Sequence, residues 1–110
     1  MSIAGDLIRG HTEAIILSQL LSGDSYGYEI GKTVLTLSGG ALELKEATLY
    51  TAFHRLEEAG LIASYWGGSA SGARRRYYSI TQEGRAAYAR LLSEWRETRA
   101  ILDQLLEPTT

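Results

Sequence analysis

The sequence contains no cysteine, one proline and only two histidines. Without cysteine there is no disulfide framework, no thiol nucleophile and no Cys-based zinc or iron–sulfur site. His11 and His54 have no further metal-type ligand at useful spacing, so no zinc site is expected either. No apolar run approaches the ~20 residues that span a bilayer, and no basic segment followed by an apolar run opens the chain. Neither a membrane span nor a signal peptide is expected, and the reading is of a cytoplasmic protein. No Ser–His–Asp or paired-carboxylate constellation stands out. The glycine-rich "GGSASG" lies between extended runs with no lysine after it, unlike a phosphate-binding loop ahead of a helix. Neither an enzyme nor a cofactor is expected.

What is present is a chain of 110 residues, 45% hydrophobic, enough for one packed domain. Met1 to Gly5 and the terminal "EPTT", with Pro108, read as frayed ends. The net charge is −2 and the pI near 5.6. Charge is unevenly spread, however. From Arg74 to Arg99 there are seven arginines against three acids, Glu83, Glu94 and Glu97. Screening confines charge effects to ~8–10 Å, so a local basic patch counts for more than the total.

"DLIRGHTEAIILSQLLSGDS" reads as a first helix whose apolar face holds Ile8, Ile15, Ile16 and Leu20. Asp24 or Ser25 is positioned to cap the second helix, "YGYEIGKTVLTL", with Tyr28, Ile30, Val34, Leu35 and Leu37 as its apolar surface. Gly27 and Gly31 make one smooth side, which predicts close approach by another helix. "ALELK" is a brief strand or an extended link. "KEATLYTAFHRLEEAG" is the most regular helix. Leu49, Ala52, Phe53 and Leu56 form its buried face, and Gly60 closes it. "LIASYW" and "RRRYYSI" flank "GGSASGA" as a β-hairpin with a mobile tip. Thr81 caps a last helix from about Gln82 to Leu106. Tyr88, Trp95 and Leu102 recur there at intervals of seven, as in a coiled-coil seam.

Three helices, a hairpin and a long helix give a mainly α fold with a small β-hairpin. That order is a winged helix-turn-helix over residues 1–81, with one long C-terminal dimerisation helix over 82–110, together one compact unit. Four stretches then resemble the PadR family of transcriptional regulators: "IILSQLLSGDSYGYEI", "TLYTAFHRLEEAGLI", "RRRYYSIT" and "TQEGRAAY". They cover most of residues 9 to 88 in the family's order. The single helix after the wing resembles the short form of the family. The resemblance implies a homodimeric, DNA-binding protein, most often a repressor, that responds to a small molecule. Thr51 stands where the family often has proline.

The third helix is the expected reader of DNA, since a helix fits the major groove and reaches base edges with its N-terminal half. Thr48, Tyr50, Thr51, His54 and Arg55 are its candidate contacts, and Lys45 stands at its start, where phosphate is favoured. Arg74, Arg75 and Arg76 are candidate phosphate contacts. Strand alternation puts Arg74, Arg76, Tyr78 and Ile80 on one face and Arg75 with Tyr77 on the other. Leu92, Trp95, Leu102 and Leu105 are the expected dimer contacts. Tyr88, Leu91 and Trp95 are candidates to hold a flat aromatic effector between two subunits. Tyr26, Tyr28, Phe53, Tyr65 and Trp66 are assigned to packing. The expected partners are a pseudo-palindromic operator in double-stranded DNA, a second copy of the chain and a small aromatic effector, with no membrane. The rival reading is a dimeric winged-helix interaction module without DNA binding, which the acidic total would suit.

Overall fold

The computed structural model describes residues 5–68, 72 and 74–107. The expectations for residues 1–4, for Pro108 and the two threonines after it, and for the hairpin tip at 69–71 and 73 lie outside the described residues. The element order is α1 (Gly5–Arg9), α2 (Thr12–Leu20), β1 (Ser25–Tyr26), α3 (Gly27–Leu37), α4 (Glu46–Glu58), β2 (Ile62–Gly68), β3 (Arg74–Ile80) and α5 (Gln82–Leu106). The mainly α architecture with a hairpin wing and a long last helix is as the sequence predicts. None of the described helices is long and apolar enough to cross a membrane.

Three details of the chain path and capping differ from the sequence reading, and one open choice is settled. The first helix is two helices, broken at Gly10–His11, where the His11 N–H bonds the Ile8 carbonyl in a tight turn. Glycine is a poor helix former, and the break lets α2 take its own direction. The sheet has three strands in the order β1-β3-β2, because Ser25–Tyr26 pairs with Tyr77–Tyr78. A two-residue strand carries no periodicity, so no sequence pattern announces it. The segment around Leu42 and Leu44 is a link, with Leu44 buried. Neither Asp24 nor Ser25 caps α3: its N-cap is Tyr26, with no side-chain cap bond, and the Ser25 hydroxyl donates to Glu29 instead.

The core lies where α2, α3 and α4 meet the sheet. Ile16, Leu17 and Leu20 come from α2, Ile30 and Val34 from α3, and Leu49, Ala52, Phe53 and Leu56 from α4. These α4 positions are the predicted i, i+3, i+4, i+7 face. Fully burying one such side chain stabilises the fold by ~1.5–3 kcal/mol. The smooth side of α3 receives α4 as expected: a Cβ at Gly27 would touch Phe53 at 3.5 Å, and one at Gly31 would touch Leu49 at 3.6 Å. Tyr28, Leu35 and Leu37, by contrast, stand in solvent. α4 ends in a Schellman turn. The Leu61 N–H bonds Leu56 O at 2.9 Å and the Gly60 N–H bonds Glu57 O at 3.0 Å, with Gly60 at φ 75°.

The wing and α5 are rooted at that same turn. Thr81 Oγ1 accepts from the Gly84 N–H at 3.0 Å, the predicted cap, and donates to Gly60 O at 2.7 Å. The Thr81 N–H bonds Leu61 O at 3.0 Å. Gly84 is packed so closely here that a Cβ would lie 2.1 Å from the Leu61 carbonyl oxygen. Backbone cannot move aside as a side chain can. Gly84→Ala is therefore expected to destabilise the fold by at least the ~1–3 kcal/mol typical of overpacking. The check is thermal unfolding, where Ala86→Gly on the exposed side of the same helix should cost only ~1 kcal/mol.

Candidate nucleic-acid interface

Burial of one side of α4 leaves the other open. Thr48, Tyr50, Thr51, His54 and Arg55 are all exposed. Lys45 is the N-cap residue, in extended backbone, and no side chain caps the helix. The first-turn N–H groups of α4 therefore remain available to an anion. Thr51 Oγ1 donates to Ala47 O at 2.9 Å, which commits its proton to the helix and leaves its oxygen as an acceptor. His54 Nε2 lies 2.9 Å from Glu58 Oε1. Lys45 and Arg55 have no ion-pair partner among the described residues. An open, mostly apolar groove of about 420 Å³ runs beside this face between α3 and α4, lined by Tyr28, Lys32, Leu35, Glu43, Glu46 and Tyr50 among others.

The wing is set against α4 by its inner face. Tyr78 on β3 stacks on Phe53 of α4, with ring centroids 4.0 Å apart and planes 17° apart. Burial raises the pKa of the Tyr78 phenol, and nearby Arg76 works partly against that rise. The strand register pairs Trp66 with Arg76, Gly67 with Arg75 and Gly68 with Arg74. The predicted alternation holds. On the inner face, the Arg74 guanidinium lies 5.2 Å from the Trp66 ring centre and that of Arg76 lies 6.0 Å away. On the outer face, Arg75 lies 4.6 Å over Tyr26. Such contacts hold an arginine in place without cancelling its charge.

Arg76 differs from its neighbours. It donates to Ser64 Oγ at 2.8 Å and to Glu57 Oε1 at 3.3 Å. The hairpin thus keeps two arginines without acidic partners among the described residues, and ties the third to the end of α4. Glu57 and Ser64 were not visible as partners in the sequence. Ser64 shares the Arg76 face by alternation, but the approach of Glu57 depends on how α4 crosses the sheet.

The outer face is an aromatic stack. Tyr65 and Tyr77 stack at 5.7 Å and 15°, and Tyr77 meets Tyr26 edge-on at 5.4 Å. The Tyr65 hydroxyl donates to Asp24 Oδ2 at 2.6 Å, and this bond to a carboxylate raises the phenol's pKa. The packing assignment holds for Phe53. Tyr28, Tyr65 and Trp66 stand largely in solvent instead, with Tyr28 74% exposed. Tyr65 lies on the outer face of the wing, and Trp66 lies on the inner face two rungs beyond the Ser64–Tyr78 pair that meets α4. The Tyr77 ring also lies against Gly67, where a Cβ would come within 2.5 Å of it.

On α5, Tyr88 and Leu91 are half-buried and pack on the chain's own core, and Leu92 is half-buried. Trp95 is 41% exposed and meets His11 edge-on at 4.9 Å. Leu102 and Leu105 are exposed, as are Ile101 and Leu106. None of Tyr88, Leu91 and Trp95 lines the α3–α4 groove.

The stack on the wing is open to test. Gly67→Ala is expected to push Tyr77 off Tyr65, speeding amide hydrogen exchange along β2 and β3. The melting temperature should change little, since the core under Tyr78 is untouched.

The arrangement matches known proteins. The transcriptional regulator PadR-like family matches residues 16–90. A transcriptional regulator of known structure from Clostridium thermocellum is 44% identical, covering 93% of this chain and 99% of that one, with a TM-score of 0.86. A PadR family transcription regulator from Clostridium difficile is 38% identical, covering 88% of this chain and 99% of that one, with a TM-score of 0.77. An uncharacterized protein of Lysinibacillus sphaericus is 41% identical over 105 residues, 96% of each chain. With the helix order, the wing and these relatives in agreement, the chain belongs to the PadR-like family of transcriptional regulators.

Proposed function

We propose that this protein is a cytoplasmic, homodimeric repressor that reads a pseudo-palindromic operator and is released by a small aromatic molecule. Residues 1–81 form its DNA-binding part and 82–110 its dimerisation helix. The observation that carries the reading is the exposed face of α4 lying beside a wing with two uncommitted arginines, both fixed by the Phe53–Tyr78 stack. In this reading Thr48, Tyr50, Thr51 and His54 meet base edges and the near backbone. Lys45 and Arg55 hold phosphates at the two ends of the reading face, and Arg74 and Arg75 hold phosphates along the wing. The sequence-specific term comes from α4 and the salt-dependent term from the arginines.

The apolar stripe of α5 supports the dimer. Leu102 and Leu105 are solvent-exposed within one chain, and a second copy of α5 would cover them. Trp95 stands near the start of that stripe, where two copies would approach each other around a flat ligand. Ligand and DNA affinities are then reciprocally coupled.

Enrichment of duplexes from a random pool is the direct test. The expected product has two half-sites with centres ~34–36 Å apart, one helical turn. Binding should weaken steeply with salt. Arg75→Ala should weaken all duplexes alike and flatten the slope of log affinity against log salt by ~0.9 per subunit. Absence of binding at low salt would instead favour an interaction module. For the dimer, Leu102→Glu with Leu105→Glu should shift sedimentation to the monomer and lose the paired half-site preference. Trp95→Ala should blunt the response to any aromatic ligand that releases DNA, and a full response would remove Trp95 from the effector site.

A further inference from the structure

We propose that Glu57 is a positioning residue for DNA recognition, acting through a clamp with Ser64 and Arg76, and that Arg76 serves this clamp rather than a phosphate. The inference rests on the DNA-binding reading above. Three side chains close a triangle. Glu57 Oε2 accepts from the Ser64 hydroxyl at 2.7 Å, Glu57 Oε1 accepts from Arg76 Nη2 at 3.3 Å, and Arg76 Nη2 donates to Ser64 Oγ at 2.8 Å. Each corner belongs to a different element: α4, β2 and β3.

The charges decide what Arg76 can do. Counterion release from DNA follows the number of phosphates neutralised by the protein's unpaired cations. The Glu57–Arg76 pair is neutral as a unit, with the two side chains 31% and 45% exposed respectively. To reach a phosphate, Arg76 would have to leave a half-buried carboxylate unpaired, which opposes the move. Arg74 and Arg75 rest on Trp66 and Tyr26, which hold them without neutralising them.

The position of the clamp gives it a consequence for specificity. Glu57 lies two residues beyond Arg55 on α4, and Arg76 lies two rungs of the ladder below the Arg74–Gly68 pair. The triangle therefore fixes the distance between the reading face and the wing's phosphate contacts. Without it the arginines still find phosphates, but not while α4 is seated on its bases.

The test compares Arg76→Ala with Arg74→Ala and Arg75→Ala on a selected and a scrambled duplex across a salt series. The Arg74 and Arg75 variants are expected to weaken both duplexes and flatten the salt slope by ~0.9 per subunit. Arg76→Ala is expected to keep the wild-type slope, lose about tenfold on the selected duplex and less than about twofold on the scrambled one. Glu57→Ala combined with Arg76→Ala should cost no more than Arg76→Ala alone. Arg76→Gln, which keeps a donor for Ser64, goes through the same measurements, so a misfolded alanine variant leaves the outcome decidable. Equal weakening of both duplexes with a flattened slope for the Arg76 variants would overturn the clamp, as would wild-type affinity on both. If the wild-type protein binds neither duplex, the DNA-binding reading fails first, and the clamp with it.

Discussion

The stack of Phe53 on Tyr78 is the contact on which the functional geometry depends. Phe53 is the chain's single phenylalanine and is almost wholly buried. It joins α4, with its exposed polar face, to the strand that carries the arginines. Tyr78 also lies in register with Ser25 on one side and Ser64 on the other, so the stack reaches all three strands. Close-packed interiors transmit displacement rather than absorb it. Rotation of α4 about its axis therefore moves the wing, and bending of the wing strains α4.

Around that stack the protein sorts its charge by location. The total is mildly acidic, but acids and bases are not mixed at random. Glu57 answers Arg76 partway along the wing, and Glu58 answers His54 near the end of α4. Farther along the hairpin, Arg74 and Arg75 are supported by aromatic rings and keep their charge. On α5, Arg90 and Arg99 face Glu94 and Asp103 one turn away, as a solvated helix surface would. A count of arginines thus overstates the positive charge offered to a partner.

Legibility in the sequence followed the range of the interactions. The buried face of α4, the cap at Thr81 and the stop at Gly60 are local and were readable from spacing and residue type. The hairpin and the alternation of its arginines were readable for the same reason. The third strand, the break at Gly10–His11 and the exposure of Tyr28, Tyr65 and Trp66 were not. The break has a local cause in Gly10, masked by the apolar spacing on either side of it, while the third strand and the exposures are decided by which element happens to cross which. A tyrosine beside a glycine reads as packing material until the neighbouring helix is known to lie on its other side. The Glu57–Ser64–Arg76 triangle is the clearest case. Its members are seven and twelve residues apart in sequence, and only the crossing of α4 over the sheet brings them together.

The long last helix changes how small movements are scaled. Its 25 residues make a rod of ~37 Å, held over its first third by Thr81, by the close seat of Gly84 against Leu61 and by the packing of Tyr88 and Leu91 on the core. Beyond Leu92 every residue of it is exposed within the single chain. Such a rod is a lever with its root at the junction of α4 and the wing. A tilt of about 5° at the fulcrum displaces the far end by about 3 Å, of the order of half a helical turn. Read in the opposite direction, a shift of a few ångströms at the far end becomes a rotation of only a few degrees at the root. The gearing favours fine adjustment of α4 and the wing over their gross rearrangement.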